Sequence, residues 1–222
     1  MSQRLGIVAA FPGELRPLVR GWEKHGDVFH GRLGTSEAVA VAVGMGANAA
    51  TRACDLLLRE KPDALVSVGW AGSLSCGLKP PQAVAVREAI DAATGETFGT
   101  ASREGQRLIT LGRVADAQEK RRLAQQYQAV LVDMEAAAVA RVARARRLDF
   151  YCFKAISDGP NDRLPDLNRF ASPEGQLRMP AFIAYAATHP KYWGPLRALG
   201  RNSRQAAQEL ALFVDGFFAA SQ

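Results

Sequence analysis

One pattern recurs along the chain: a short apolar run stops at glycine or a carboxylate and gives way to a helix. The runs Leu5–Ala10, Ala38–Val43, Ala64–Val68, Ala129–Val132 and Phe150–Ile156 end at Gly13-Glu14, Gly44-Gly46, Gly69-Gly72, Met134-Glu135 and Ser157-Asp158. Apolar runs of this length read as strands buried on both faces. Their alternation with helical spacing predicts an α/β fold with a mixed central β-sheet flanked by helices. In open α/β sheets ligands sit outside the carboxyl ends of the strands, so five such endings facing one edge predict a site.

The remaining segments fit this frame. Leu15, Leu18, Val19 and Trp22 recur at helical spacing after Pro12-Gly13, and a helix is expected to follow Gly44–Ala50 and run to about Glu60. Val28–Leu33 pairs with Ala38–Val43 across Gly34-Thr35-Ser36, while Ala83–Val86 and Leu108–Leu111 are further strands. Polar, glycine-rich Ala92–Gly105 reads as loop. Asp116 caps a helix through Gln126, and Asp133 caps one in which Glu135 occupies the first turn. From about Pro173 the chain reads as two helices parted near His189-Pro190, with Pro180 either breaking the first or marking its start. No repeat or linker divides the 222 residues, which suit a single domain.

Composition excludes several classes. A net charge of +6 permits anionic partners but dictates none. Arginines 141–147 lack aromatic interleaving, which argues against nucleic acid. Cys54, Cys76 and Cys152 are odd in number and widely spaced. They read as small buried hydrophobes in a reducing compartment, with no metal-ligand pairing. An apolar strand within a few residues of Met1 and no run near 20 apolar residues predict a cytoplasmic protein with no signal peptide or spanning helix.

Each candidate site residue has a plain alternative. Glu14 and Glu135 are either helix-start carboxylates or ligand-binding groups at strand ends. Gly44–Ala50 either turns tightly or brings backbone close to a ligand; without a third glycine it is no dinucleotide fingerprint. Trp70 is core filler or a wall for a flat ligand. Ser157-Asp158 before Gly159-Pro160 is a turn or the end of a strand that delivers a carboxyl.

Together, Gly44-Met45-Gly46-Ala47-Asn48-Ala49-Ala50, Val68-Gly69-Trp70-Ala71-Gly72, Val132-Asp133-Met134-Glu135-Ala136-Ala137-Ala138 and Ala155-Ile156-Ser157-Asp158 resemble, in order and spacing, the nucleoside phosphorylase superfamily, particularly its methylthioadenosine/S-adenosylhomocysteine nucleosidase branch. The C-terminal part, with His189-Pro190 and Trp193–Leu199, resembles the hopanoid-associated phosphorylase-like subgroup. The resemblance implies cleavage of an N-glycosidic bond between ribose and a purine, without metal or organic cofactor, by a homodimer. It gives Glu135 the ribose hydroxyls, Met134 the sugar face, Asp158 (beside Ser157) purine N7, and Glu14 the attacking water. Asp158 would then have to hold a proton, which burial favours.

Trp70 stands where relatives usually have serine, and Lys154 where many nucleosidases have arginine. The segment 111–116 lacks the phenylalanine that relatives stack on the base. Gly72, Trp70 and Lys154 remain substrate-side candidates, and Gly13 and Arg16 are candidates for inorganic phosphate as co-substrate. Because the strand before Gly69 lacks the arginine of hexameric phosphorylases, the balance leans to hydrolysis. The subgroup resemblance implies an adenosylated hopanoid as substrate. Trp193, Leu196 and Leu199 beside Lys191, Arg197, Arg201 and Arg204 then suit peripheral membrane contact, against the plainer reading of an amphipathic helix packed on the core. A non-catalytic nucleoside-binding or regulatory module of the same fold is the competing class.

Overall fold

A computed structural model describes residues 3–162, 164–170, 172 and 178–220. Pro173, where the helical tail was expected to begin, lies outside them. The strands are β1 (Arg4–Ala9), β2 (Glu23–His25), β3 (Val28–Leu33), β4 (Ser36–Ala42), β5 (Ala64–Ser73), β6 (Ala83–Asp91), β7 (Thr97–Gly99), β8 (Gln106–Thr110), β9 (Leu131–Asp133) and β10 (Asp149–Asp158). The helices are α1 (Pro12–Leu15), α2 (Ala47–Leu57), α3 (Ala117–Tyr127), α4 (Ala136–Arg146), α5 (Met179–Thr188) and α6 (Trp193–Ala220).

The sheet is mixed, as expected. Parallel β4, β1, β5 and β10 form its centre, with Ile7 opposite Ala40 on one side and Val66 on the other, and Phe153 opposite Val68. β10 also pairs antiparallel with β6, β6 runs parallel to β8, β8 to β9, and β9 returns antiparallel to β5. Five strands therefore close into a ring, which removes the edges an open sheet would expose there.

Period-two alternation assigns the two faces. Leu5, Ile7, Ala9, Val66 and Val68 pack with Phe153 and with Ala206, Leu210, Val214 and Phe218 of α6. Val8, Val39, Val41 and Leu65 face the opposite way, onto Ala50, Ala53 and Leu57 of α2 and Ala136–Ala140 of α4. Burying each large aliphatic side chain contributes about 1.5–3 kcal/mol. The alanines of α2 and α4 let those helices pack closely over the strands that carry the site.

Several expectations are corrected. The helix after Pro12 is one turn long, because Pro17 lacks an amide proton and the chain continues as turns to Gly21. β5 does not stop at Val68; it continues through Gly69–Gly72, paired with β10 along that stretch and with β9 from Gly72. The expected loop 92–105 contains β7, which pairs with β6. Pro180 sits in the first turn of α5 and marks its start. Cys54 and Cys152 are buried, with thiols pushed up to about 12 by burial, whereas Cys76 is exposed. No described helix is long and apolar enough to cross a membrane.

Candidate active site

A pocket of about 130 Å³ lies at the carboxyl ends of β1, β5 and β10 and at the turn between β9 and α4. Glu14, Trp70, Gly72, Met134, Glu135, Ser157 and Asp158 line it together, so seven of the ten residues singled out in the sequence converge. Gly13, Arg16 and Lys154 do not line it. Gly13 lies against the Trp70 ring, where an added Cβ would be 3.3 Å from Cη2, and Arg16 is exposed.

Glu14 enters from the single turn α1. Its Oε2 accepts the backbone N–H groups of Ala10 (2.9 Å) and Phe11 (2.8 Å), and Oε1 accepts that of Trp70 (2.8 Å). A carboxylate offers about four acceptor directions, so three are filled and one stays available. Burial raises the Glu14 pKa; the three N–H donors and the Lys154 ammonium oppose the rise.

Glu135 is the N-cap of α4 rather than a first-turn residue. The expected cap, Asp133, still satisfies an orphan amide, since its Oδ2 accepts from Ala136 N at 2.9 Å. Glu135 Oε1 accepts the Gly46 N–H at 2.7 Å. Gly46 has φ +85°, a conformation that favours glycine, and so brings the turn before α2 onto a residue 89 positions away. Burial first, and the nearby Asp133 second, push the Glu135 carboxyl up to about 7.

Lys154 is buried beneath these groups. Its Nζ is 2.9 Å from Asp133 Oδ2 and donates to Ser67 Oγ at 3.1 Å, while Thr110 Oγ1 donates to Asp133 Oδ1 at 2.7 Å. Burial alone would lower the lysine's pKa, but the surrounding groups, Asp133 foremost, outweigh it and hold the ammonium charged. The pocket floor thus carries Glu14, Glu135 and Asp133 around one cation.

At the other end Ser157 Oγ donates to Asp158 Oδ1 at 2.6 Å. Asp158 Oδ2 accepts from Lys120 Nζ, a residue of α3 that sequence spacing does not single out. Lys120 also donates to Gly159 O at 2.7 Å. Beside the burial expected at this strand end, Asp158 therefore has a charged hydrogen-bond partner. The loop with Arg113, Val114 and Ala115 forms a wall shared with an adjoining cavity of about 940 Å³. Asn168 pins that loop, accepting from Val114 N (2.8 Å) and donating to Val114 O (3.0 Å). Among the described residues no cluster of three or more His, Cys, Asp or Glu is arranged to hold a metal ion.

A mixed α/β sheet whose strand ends gather four carboxyl groups, those of Glu14, Asp133, Glu135 and Asp158, around a small pocket has the arrangement in which α/β sheets place small-molecule sites. The chain belongs to the phosphorylase superfamily, which residues 4–108 and 93–178 match. Its fold is similar to that of the S-adenosylhomocysteine nucleosidase from Streptococcus pyogenes in complex with 5-methylthiotubericidin, at 17% identity and TM-score 0.75, covering 100% of this chain and 98% of that one. It is also similar to the methylthioadenosine/S-adenosylhomocysteine nucleosidase from S. pneumoniae (18%, TM-score 0.74, 99% and 100%). A third similar structure is the futalosine hydrolase of Helicobacter pylori (16%, TM-score 0.72, 98% of each chain). At these identities the likeness is one of fold. No curated protein matches the chain in sequence.

Proposed function

We propose that this protein cleaves the N-glycosidic bond of a purine nucleoside-type substrate, an adenosyl compound, with water as the nucleophile. The observation that carries the proposal is the convergence of Glu14, Glu135 and Ser157-Asp158 on one pocket. When the bond breaks, the ribosyl group gains positive charge and the base gains negative charge. Glu135 accepts hydrogen bonds from the ribose hydroxyls, Met134 packs on the sugar, and the surplus of carboxylates stabilises the cationic sugar. Glu14 uses its remaining acceptor direction to orient and deprotonate water. Asp158, aligned by Ser157, hands a proton to purine N7. The nucleosidases and the hydrolase among similar structures support this class.

Water is favoured over phosphate because the nearby cations are engaged. Lys154 pairs with Asp133, Lys120 with Asp158, and Arg113 with Glu119 at 2.7 Å. Arg16 is exposed outside the pocket, and Trp70 fills the space beside Gly13. Phosphate as co-substrate is the alternative. The substituent on the ribose is assigned to a hopanoid lipid. In support, the uncharged α5 buries no residue, Met179, Ile183 and Trp193 are exposed, and Lys191, Arg197 and Arg201 are exposed as well, the apolar and basic groups that suit a membrane surface. The active form is assigned as a homodimer.

The test is incubation of the purified protein with methylthioadenosine, adenosine, inosine and an adenosyl-lipid analogue, with and without phosphate, measuring released base. Base release without phosphate is expected. Strict phosphate dependence overturns hydrolysis, cleavage of soluble nucleosides but not the lipid analogue overturns the hopanoid assignment, and binding without any cleavage favours a non-catalytic module.

A further inference from the structure

Lys120 is the buried charge that the roles above leave unused. It stands one turn into α3, behind the N-cap Asp116, and is 4% exposed. Its ammonium donates to Asp158 Oδ2 and to Gly159 O, while Ser157 holds the other Asp158 oxygen. Gly72 makes room for the pair: a Cβ there would stand 3.1 Å from Lys120 Cε and 3.2 Å from both Lys120 Nζ and Asp158 Oδ2. Lys120 and Asp158 line both the small pocket and the larger cavity, so the pair bridges the base end of the site and a wide space beyond it.

Burying an ammonium is costly unless it is paired and fully bonded. Here the pairing falls on the carboxyl group that must pass a proton to the leaving base. We propose that Lys120 is the positioning residue behind Asp158 and the source of the proton that the departing purine takes, an inference that rests on the N-ribosyl cleavage proposed above. The pair carries one labile proton between its amine and its carboxylate. As C1′–N9 breaks, the bonding electrons stay with the base. The proton passes from Lys120 Nζ to the Asp158 carboxyl and on to purine N7, leaving Lys120 as a neutral amine. On the opposite face water gives its oxygen to C1′ and one proton to Glu14. Glu14 then loses that proton to solvent, and Lys120 regains one through the larger cavity, so the sum is addition of one water.

The test measures kcat and KM for wild type, K120M, K120Q, K120R, D158N and the double variant K120M/D158N, on whichever adenosyl nucleoside the wild type cleaves fastest. A lost general-acid contribution is about 10²–10⁴-fold. K120M and K120Q are expected to lose kcat within that range with KM changed less than about 3-fold, K120R to lose kcat as well because a guanidinium pairs with Asp158 but does not release its proton, and the double variant to be no slower than D158N. Glutamine retains a donor but no transferable proton, so wild-type kcat in K120Q would overturn the proposal, as would losses that multiply in the double variant. If K120M fails to fold because Asp158 is left unpaired, K120Q and the charge-free double variant still decide. A wild type that cleaves no nucleoside overturns the underlying activity instead, a result distinct from an active wild type with independent losses.

Discussion

Gly69 and Glu14 are held against each other: a Cβ at residue 69 would stand 2.8 Å from Glu14 Oε1. Gly69 lies inside β5 at φ +151°, and the next amide, Trp70 N, donates to the same oxygen. Glycine here is what allows the strand to approach and hold the carboxylate. Gly69→Ala removes no functional group, yet it is expected to displace Glu14 and lower kcat by on the order of 10²-fold. Kinetics checked against thermal unfolding decide; a folded variant with wild-type kcat would separate Glu14 from the chemistry.

Glu135 links the pocket to pH. Its carboxyl is raised from the ordinary 4.5 to about 7, chiefly by burial and then by Asp133. A raised acid favours the folded state fully below its unfolded value, and that contribution is lost as pH rises through about 7. Glu135→Gln cannot ionise, so its stability relative to wild type should grow between pH 5 and 8.5, by on the order of 3 kcal/mol at most. Urea unfolding at the two pH values measures it. A difference that does not change with pH would contradict the assignment. The same variant should bind nucleoside more weakly, having lost the carboxylate acceptor.

Lys154 was a candidate for ligand contact in the sequence, but its side chain ends on Asp133 and Ser67. Lys154→Met strands a buried carboxylate and should cost roughly 3–5 kcal/mol of stability. Any phosphate dependence of the reaction should be unchanged in the fraction that folds. A stable variant with altered response to phosphate would restore the anion-binding role.

Asp158→Asn should lower kcat by about 10²–10⁴-fold while leaving affinity for a nucleoside much less affected, because the amide keeps the shape but cannot relay a proton. Calorimetric binding beside a base-release assay reads both quantities. Equal loss of both would make Asp158 structural.

The three carboxyl groups were legible because each follows an apolar run at a strand end, where chain direction alone brings them to one edge of the sheet. Lys120 was not: it sits in a polar amphipathic helix whose surface lysines look the same in sequence, and only the approach of α3 to β10 buries it. The mixed sheet was legible from alternation, but ring closure depends on β10 pairing with both β5 and β6, a long-range choice that no local pattern encodes. Gly69–Gly72 looked like a strand end because glycine weakens strand propensity. Pairing with β10 along the whole stretch, joined by β9 at Gly72, overrides that preference.

The most direct test is the fate of the sugar when the reaction runs at saturating phosphate. Product analysis should find one free reducing ribosyl group for each purine released and no phosphate consumed. One sugar phosphate formed per purine would contradict the water mechanism and remove Glu14 from its assigned role.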